Sequence, residues 1–279
     1  MRDIRLGLYE KALPPQLGFE EMLSAARRAG FDFLELSIDE TDERQRRLEW
    51  SAAERNRLLA AMREAGLPIR TMCLSGHRKY PLGSHDAAIR ARAVEIFERA
   101  AELADDLGIR VIQLAGYDVH YEEGDERTRA WFEENLRRCV MYAARFGILL
   151  GFETMETPFM DTVAKAMRYV RAVDSPYLGV YPDLGNLTNA AKLYQSDLYR
   201  DIAAGRGRLL AMHLKETRPG VYREMRFGEG HVDFPRGIEA ARAQGVRLFV
   251  AECWYDGAEG WREGLAGVRS FIGRAMGES

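Results

Sequence analysis

Four residues whose side chains could bind a metal ion stand at the ends of short apolar segments in the second half of the chain. They are Glu153 in Leu-Gly-Phe-Glu, Asp183 in Tyr-Pro-Asp-Leu-Gly-Asn, His213 in Met-His-Leu-Lys and Glu252 in Val-Ala-Glu. If the three carboxylates lie together, they repel one another unless some are protonated or a cation lies among them. Three oxygen donors and one imidazole nitrogen suit a divalent ion, above all Mn²⁺, with Mg²⁺, Co²⁺ and Zn²⁺ as alternatives. These residues therefore predict one divalent metal site.

Other polar residues could hold an anionic group of a substrate. His77 directly follows an apolar segment, Lys215 and Arg218 follow His213, and Glu229 lies in Phe-Gly-Glu-Gly. Charged side chains and the backbone N–H groups of glycine-rich turns are common ligands of phosphate. We therefore expect these four residues to contact substrate, with phosphate as its anionic group. The alternative for each of them is a solvated surface charge.

The elements that must position these residues follow from alternating apolar and amphipathic segments. Continuous apolar runs such as 148–152 are typical of parallel strands that are buried on both faces. The predicted strands are Ile4–Tyr9, Phe33–Ser37, Ile69–Leu74, Val111–Leu114, Ile148–Glu153, Leu178–Tyr181, Leu209–Leu214 and Arg247–Glu252. The predicted helices are Phe19–Ala29, Ser51–Ala65, His85–Leu107, Glu126–Phe146, Thr162–Val173, Gln195–Ala204, Phe234–Gln244 and Trp261–Met276.

Glycines mark the boundaries of this alternation. Five of them follow a predicted helix and precede a predicted strand, where a left-handed backbone commonly ends a helix. They are Gly30, Gly66, Gly108, Gly147 and Gly245. Their repetition supports the division of the chain into strand–helix units.

Eight such units in about 280 residues favour a closed α/β barrel, the (β/α)₈ TIM barrel, as a single domain over residues 1–279. An open dinucleotide-binding sheet would require a glycine-rich turn after the first strand, and Leu6–Lys11 is not one. Catalytic groups of barrel enzymes come from the carboxyl ends of the strands. A single acidic residue there would by default pair with a lysine or arginine. Four candidate ligands at successive strand ends favour the metal site instead.

Composition excludes several classes of protein. The 279 residues are 47% apolar and 30% charged, which is typical of a folded globular protein rather than a disordered one. A net charge of −3 argues against binding nucleic acid by bulk charge. We expect a cytoplasmic chain without membrane association, because it has no apolar run of 18 residues and no signal-peptide core near its start. Three cysteines without a CxxC pair argue against a disulfide framework or a thiolate zinc site.

Seven longer strings of this sequence are familiar: Gly7–Leu13, Asp39–Arg44, Met72–Ser75, Val111–Val119, Pro182–Asn186, Phe227–Gly230 and Val232–Phe234. They resemble the L-ribulose-5-phosphate (L-xylulose-5-phosphate) 3-epimerases, and the resemblance extends nearly from end to end. This family belongs to the wider xylose-isomerase-like barrel group, which also holds the D-tagatose 3-epimerases and endonuclease IV.

The resemblance implies a barrel fold and places the family's metal ligands on Glu153, Asp183, His213 and Glu252. It also implies that Glu153 and Glu252 form the catalytic acid–base pair. Related ketose 3-epimerases have a histidine three residues after the metal aspartate, where this chain has Asn186, a further expected substrate contact. A homodimer in a cytoplasmic sugar-phosphate pathway is implied as well, such as the utilisation of ascorbate or another sugar acid.

These residues support the inversion of C3 in a ketopentose phosphate, between L-ribulose 5-phosphate and L-xylulose 5-phosphate. A metal ion bound to O2 and O3 polarises the ketone and stabilises the cis-enediolate that forms when the C3 proton leaves. Inversion requires one base on each face of C3, and Glu153 and Glu252 can approach from different strands. The predicted enzyme is therefore an isomerase of the carbohydrate 3-epimerase type.

Four alternatives remain at this stage. The same site could serve an aldose–ketose isomerase or a 3-epimerase of a non-phosphorylated ketose. An endonuclease-IV-like repair nuclease would need three zinc ions and more histidines than the five in this chain. A barrel that only binds a sugar phosphate would not need all four metal-binding positions filled.

Overall fold

Eight parallel strands form a barrel in the computed structural model, which describes residues 4–278. Their order around the sheet is β6-β5-β4-β3-β2-β1-β8-β7. Isolated parallel bridges from Val180 to Leu209 and from Asp183 to His213 join β6 to β7. These bridges close the ring, so the predicted (β/α)₈ fold is confirmed.

The strands agree with the predicted ones to within three residues at each end. They are β1 Arg5–Tyr9, β2 Phe33–Ile38, β3 Ile69–Leu74, β4 Val111–Leu114, β5 Leu149–Phe152, β6 Leu178–Val180, β7 Met212–Leu214 and β8 Leu248–Ala251. Along each strand alternate side chains point into the barrel. The apolar part of this interior includes Tyr9, Phe33, Cys73, Val111, Tyr181, Ala211 and Val250. Two residues further along several of these strands, nearer their carboxyl ends, the inward-pointing side chains are polar.

Helices surround the barrel and bury their apolar faces against the strands in one extended core. They are α1 Phe19–Arg28, α2 Asp42–Gln45, α3 Ala52–Ala65, α4 Ala87–Leu107, α5 Glu126–Ala144, α6 Val163–Val173, α7 Leu184–Tyr194, α8 Leu198–Ala204, α9 Phe234–Ala243 and α10 Trp261–Ala275. Short 3₁₀ helices occupy Glu10–Ala12, Arg46–Glu49 and Ser75–Arg78. All five glycines predicted to end helices have positive φ, between 62° and 96°.

One helix was not predicted. The predicted helix Gln195–Ala204 corresponds to α8, which begins three residues later, and the missed helix is α7 before it; Gln195 lies between the two helices with a φ of 50°. Helix α7 was missed because its first half contains Gly185, Asn186 and Asn189, which have low helix propensity. Burial of nearly the whole first half of the helix and a cap from the Asp183 side chain override that propensity.

No helix within residues 4–278 combines the length and the apolar character that crossing a bilayer requires.

Candidate metal centre and active site

The carboxyl ends of β5 to β8 bring the four predicted metal ligands to one rim of the barrel. Glu153 and Glu252 directly follow β5 and β8, and His213 is the middle residue of β7. Asp183 lies beyond β6 and is bridged to His213. Because the strands are parallel, these positions converge, and one ligand atom from each residue lies within 4.8 Å of the others. Within residues 4–278 this is the one group of metal-binding side chains with such spacing.

The quartet is buried, and the imidazole of His213 presents one particular nitrogen to the carboxylates. Nδ1 of His213 lies 3.1 Å from Oε2 of Glu252 and 3.6 Å from Oε1 of Glu153. The most exposed member, Glu252, exposes only 8% of its surface. Charges at this site are therefore screened little by solvent.

Burial and crowding shift the proton affinities of these groups in opposite directions. Burial raises the pKa of Asp183, and the carboxylates of Glu252 and Glu153 raise it further. Burial alone would raise the pKa of Glu252, but Lys215 and His213 outweigh it and hold this pKa below its ordinary value. Burial likewise opposes a charged imidazole, yet Glu35 and Glu252 raise the pKa of His213. The crowded carboxylates thus favour protonation of Asp183 and of His213, while the neighbouring cations keep Glu252 ionised.

Two carboxylate oxygens in the quartet are left with room for a ligand. Oδ2 of Asp183 and Oε2 of Glu252 are buried and accept no hydrogen bond, and Nζ of Lys215 lies only within ion-pair distance of each of them. Unsatisfied buried carboxylate oxygens are costly unless a cation compensates them. Three oxygen donors and one nitrogen at this spacing fit a divalent metal ion such as those of the sequence prediction.

Lys215 lies at the quartet itself. Its buried ammonium Nζ is 3.4 Å from Oδ2 of Asp183 and 3.3 Å from Oε2 of Glu252. Burial alone would lower the pKa of Lys215, but these two carboxylates raise it. Lys215 is thus a positive charge fixed beside the metal-binding atoms, where it can also contact a bound substrate.

Asn186 is brought to the same rim by the first turn of α7. Its backbone N–H donates to Oδ1 of Asp183 at 2.6 Å, and Nδ2 donates to the carbonyl of Thr154 at 2.7 Å. Its Oδ1 is buried without a hydrogen-bond partner. The residue therefore orients Asp183 and retains one free acceptor.

His77 lies away from this group of charges, whereas its neighbour Arg78 interacts with them. The buried imidazole Nε2 of His77 hydrogen-bonds the carbonyl of Ala93 in α4, and burial lowers the pKa of His77 to about 4. A neutral ring packed on a helix does not suit an anionic substrate. Burial alone would lower the pKa of Arg78, but Tyr117 and Glu156 raise it, and Glu153 acts in the same direction. Of the two residues, Arg78 is thus the cation near the site.

Arg218 and Glu229 meet at the exposed rim. Nε and Nη2 of Arg218 donate to the carbonyl of Glu229 at 3.0 and 2.7 Å. Buried Glu216 anchors the same loop, since its carboxylate accepts hydrogen bonds from the N–H groups of Gly228 and Val232. Arg218 and Glu229 therefore shape the loop over the barrel, and the backbone rather than the side chain of Glu229 makes the contact.

Sequence reasoning missed two interior residues that contact His213. Oε1 of Glu35 in β2 lies 2.6 Å from Nε2 of His213. On the other side of the ring, Nε2 of Gln113 in β4 lies 3.2 Å from Nδ1 of His213. The available signal was a charged residue in the middle of an otherwise apolar strand, Phe-Leu-Glu-Leu-Ser-Ile. A carboxylate at such a position is rarely buried without a partner.

Most of this chain matches a known protein family. Residues 23–271 match the model of the xylose isomerase-like TIM barrel. The chain belongs to this family. The xylose isomerase-like barrel therefore accounts for the strand order, and the metal quartet stands at the rim where TIM-barrel enzymes carry their catalytic groups.

Relatives within this family carry names of sugar epimerases. The chain is 42% identical over its full length to an L-ribulose-5-phosphate 3-epimerase UlaE of Escherichia coli O139:H28 (strain E24377A / ETEC), covering 97% of that protein. Identity to the enzyme of the same name from Salmonella paratyphi A is 41%, with the same coverage. Among solved structures, an L-ribulose 3-epimerase superposes with a TM-score of 0.80 at 19% identity, covering 98% of this chain and 95% of that one. At this identity the structure shows the shared fold.

Proposed function

We propose that this protein is an L-ribulose-5-phosphate 3-epimerase, which inverts C3 and thereby interconverts L-ribulose 5-phosphate and L-xylulose 5-phosphate. The observation that carries the proposal is the quartet, with two glutamates on strands far apart around one buried site. The full-length relatives named for this activity support the substrate. The enzyme is accordingly an isomerase.

Proton transfer is the task of Glu153 and Glu252. In the ring of eight strands, β5 and β8 are separated by two strands on one side and four on the other. Their carboxylates can therefore approach a substrate carbon between them from different sides, as inversion requires. Lys215 and His213 keep Glu252 in its charged form, which lets it accept the C3 proton. In that direction Glu153 donates a proton to the opposite face, and the roles exchange in the reverse direction.

Charge stabilisation comes from the cations of the site. Glu153, Asp183, His213 and Glu252 would hold a divalent ion, proposed to be Mn²⁺, which supplies Lewis-acid stabilisation of the negative charge that develops at the carbonyl oxygen. Nζ of Lys215 lies within ion-pair distance of two of these residues, so it can donate to a substrate hydroxyl at the reacting end. Asn186 offers its free Oδ1 to a hydroxyl group.

Binding of the phosphate is proposed for the rim of the barrel. Arg218 is exposed there, and its Nε and Nη2 donate to the carbonyl of Glu229. Its Nη1 can therefore donate to an anion. Arg78 adds a second positive charge within electrostatic reach of Glu153. The buried quartet, the exposed Arg218 and the half-buried Arg78 thus match a substrate with a reacting carbonyl at one end and a dianion at the other.

The working form of the enzyme is proposed to be a cytoplasmic, single-domain homodimer in a sugar-phosphate pathway such as ascorbate utilisation. The resemblance to the L-ribulose-5-phosphate 3-epimerases implies this assembly and setting. Light scattering after size exclusion is expected to give twice the 31.7 kDa chain mass. A single-chain mass at working concentrations would contradict the dimer.

Proton NMR of the purified protein with L-ribulose 5-phosphate in D₂O tests the activity. We expect the C3 proton signal to disappear while L-xylulose 5-phosphate accumulates, and a chelator to stop both. Added Mg²⁺ avoids the line broadening that Mn²⁺ causes. Exchange at C1 instead would identify an aldose–ketose isomerase, and equal rates with non-phosphorylated L-ribulose would contradict the role given to the phosphate.

A further inference from the structure

A buried carboxylate supports the metal-binding histidine from the side opposite the quartet. Glu35 projects from β2 into the barrel and is fully buried. Its Oε1 lies 2.6 Å from Nε2 of His213. Its other oxygen, Oε2, accepts hydrogen bonds from Thr71 Oγ1 at 2.7 Å and from the Tyr181 hydroxyl at 2.8 Å. Both oxygens are thus engaged, and the carboxylate has one fixed orientation.

The position of Glu35 decides which nitrogen of His213 carries a proton. A carboxylate can only accept a hydrogen bond, so Nε2 at 2.6 Å must be the N–H donor. In the neutral imidazole the other nitrogen, Nδ1, is then an acceptor with a free lone pair. Nδ1 is also the atom that faces Glu153 and Glu252, and the lone pair to which Nε2 of Gln113 can donate at 3.2 Å is the one that a metal ion would take.

The backbone brings Glu35 to this place through an irregularity in the sheet. Between β2 and β3 the pairing shifts by one residue, so that Leu34 pairs with Ile69 but Glu35 pairs with Thr71. Thr71 therefore lies directly beside Glu35 and can donate to it. The ring of Tyr181 packs edge-on against the imidazole, with 5.0 Å between the ring centroids, while its hydroxyl reaches Glu35. Thr71 in β3 and Tyr181, directly after β6, thus hold the carboxylate of Glu35 against His213.

We propose that Glu35 is a positioning residue for the metal centre: it holds His213 as the Nε2-protonated tautomer and points Nδ1 at the metal ion. This inference rests on the metal-dependent function proposed above, because the residue acts only through the metal ligand. A hydrogen-bonded carboxylate on the outer nitrogen of a histidine ligand also makes that ligand more basic. Tyr181 and Thr71 orient Glu35 in turn, because their hydroxyl groups donate hydrogen bonds to its carboxylate.

Substitution Glu35→Gln tests the proposal without removing a metal ligand. The amide can still face His213 with its oxygen, but its NH₂ group then meets the hydroxyl groups that now donate to Oε2. We expect Mn²⁺ to bind about 10- to 100-fold more weakly, the usual effect of removing such a partner. Titration of the purified, metal-stripped protein with Mn²⁺ alone measures this constant. Activity should recover substantially when Mn²⁺ is raised to saturation.

Glu10→Gln is the matched control. Glu10 is another fully buried carboxylate near the same rim, but it is bonded to Arg44, Arg47 and Ser37. This variant should lose thermal stability and yet bind Mn²⁺ within about twofold of the wild type. If Glu35→Gln does not fold, the double variant Thr71→Val with Tyr181→Phe replaces it. The double variant loosens Glu35 and should weaken Mn²⁺ binding by a smaller factor.

Nitrogen NMR of the Zn²⁺-loaded wild type provides a reading that does not depend on activity. With ¹⁵N-labelled histidine, and assignment by loss of the signal in His213→Asn, Nε2 of His213 should be protonated and Nδ1 metal-bound. The proposal is overturned if Nε2 is the metal-bound nitrogen, or if Glu35→Gln binds Mn²⁺ as tightly as the wild type. A wild type that binds Mn²⁺ as described but does not epimerise L-ribulose 5-phosphate would contradict the proposed function and leave this assignment standing.

Discussion

Among the buried charged residues at the rim, we expect the substitution of Glu10 to reduce the stability of the folded state most. Glu10 follows β1, is fully buried, and accepts bonds from both terminal nitrogens of Arg47 at 2.7 Å each. Arg44 Nη1 lies 2.5 Å from Oε1 of the same carboxylate, and the backbone N–H of Ser37 donates to Oε2 at 2.8 Å. These contacts tie the end of β1 to the end of β2 and to α2.

Substitution Glu10→Gln leaves the nearly buried guanidinium group of Arg47 without its counter-charge and leaves Arg44 with Asp39 alone, at 3.5 Å. Removing one partner of a buried ion pair typically costs about 3 to 5 kcal/mol, since the remaining charge stays desolvated. A chain of this size loses roughly 2 °C of melting temperature per kcal/mol, so the expected fall is about 6 to 10 °C. The geometry of the quartet should remain, because Glu10 contacts none of its members in the described part of the chain.

The stability difference should also depend on pH. Burial alone would raise the pKa of Glu10, but Arg47 and Arg44 outweigh it and lower this pKa below its ordinary value. A carboxylate with a lowered pKa in the folded state stabilises the protein above its unfolded pKa of about 4.3, and this contribution is lost as pH falls through the folded value. The difference between wild type and Glu10→Gln should therefore be full at pH 7 and shrink in acid.

Thermal unfolding by circular dichroism at pH 7 and at pH 4 or below measures both effects. The matched control is Glu21→Gln, the same chemical change in an exposed pair with Arg262, where we expect less than about 1 kcal/mol. A melting temperature of Glu10→Gln within 2 °C of the wild type would refute the reasoning. So would a difference between the two that does not shrink in acid.

Three further substitutions follow from the same geometry. Lys215→Met should lower the melting temperature of the metal-free protein and raise the pKa of Glu252, because the buried carboxylates lose their cation; an unchanged melting temperature after chelation would contradict this. Arg218→Met should raise KM for L-ribulose 5-phosphate about tenfold with a smaller change in kcat, whereas Arg57→Met on α3 should change neither. Asp183→Asn should reduce Mn²⁺ affinity at least as much as Glu35→Gln does, since it removes a direct ligand rather than its support; tighter binding in Asp183→Asn would contradict the assigned quartet.

The fold was predictable because its signals are local. Each strand is a short apolar run, and each of five helices ends at a glycine with positive φ, so the alternation is visible without tertiary information. The metal quartet followed from that alternation, since parallel strands place their carboxyl ends together. Helix α7 could not be predicted in this way, because burial rather than propensity forms it.

The other features of the site depend on where individual side chains point and on which distant residues they meet. The periodicity of the sequence does not show either. His77 and Arg78 are adjacent in a 3₁₀ turn, where successive side chains point about 120° apart, so one packs on α4 and the other interacts with the charges near the barrel. The role of Glu35 requires the pairing shift beside Thr71, a property of two strands distant in sequence. Glu216 holds a loop through backbone N–H groups, and such bonds leave no pattern in side-chain types.

Hydrogen exchange in the two glutamate variants tests most directly the claim that Glu153 and Glu252 act on opposite faces of C3. Each of Glu153→Gln and Glu252→Gln, loaded with Mg²⁺ and checked for bound metal, is incubated in D₂O with each epimer in turn. We predict that neither variant inverts C3. Each should still exchange the C3 proton of one epimer, and the two variants should select different epimers. Exchange of the same epimer by both variants, or of neither epimer by a variant that still binds metal, would contradict the two-base account.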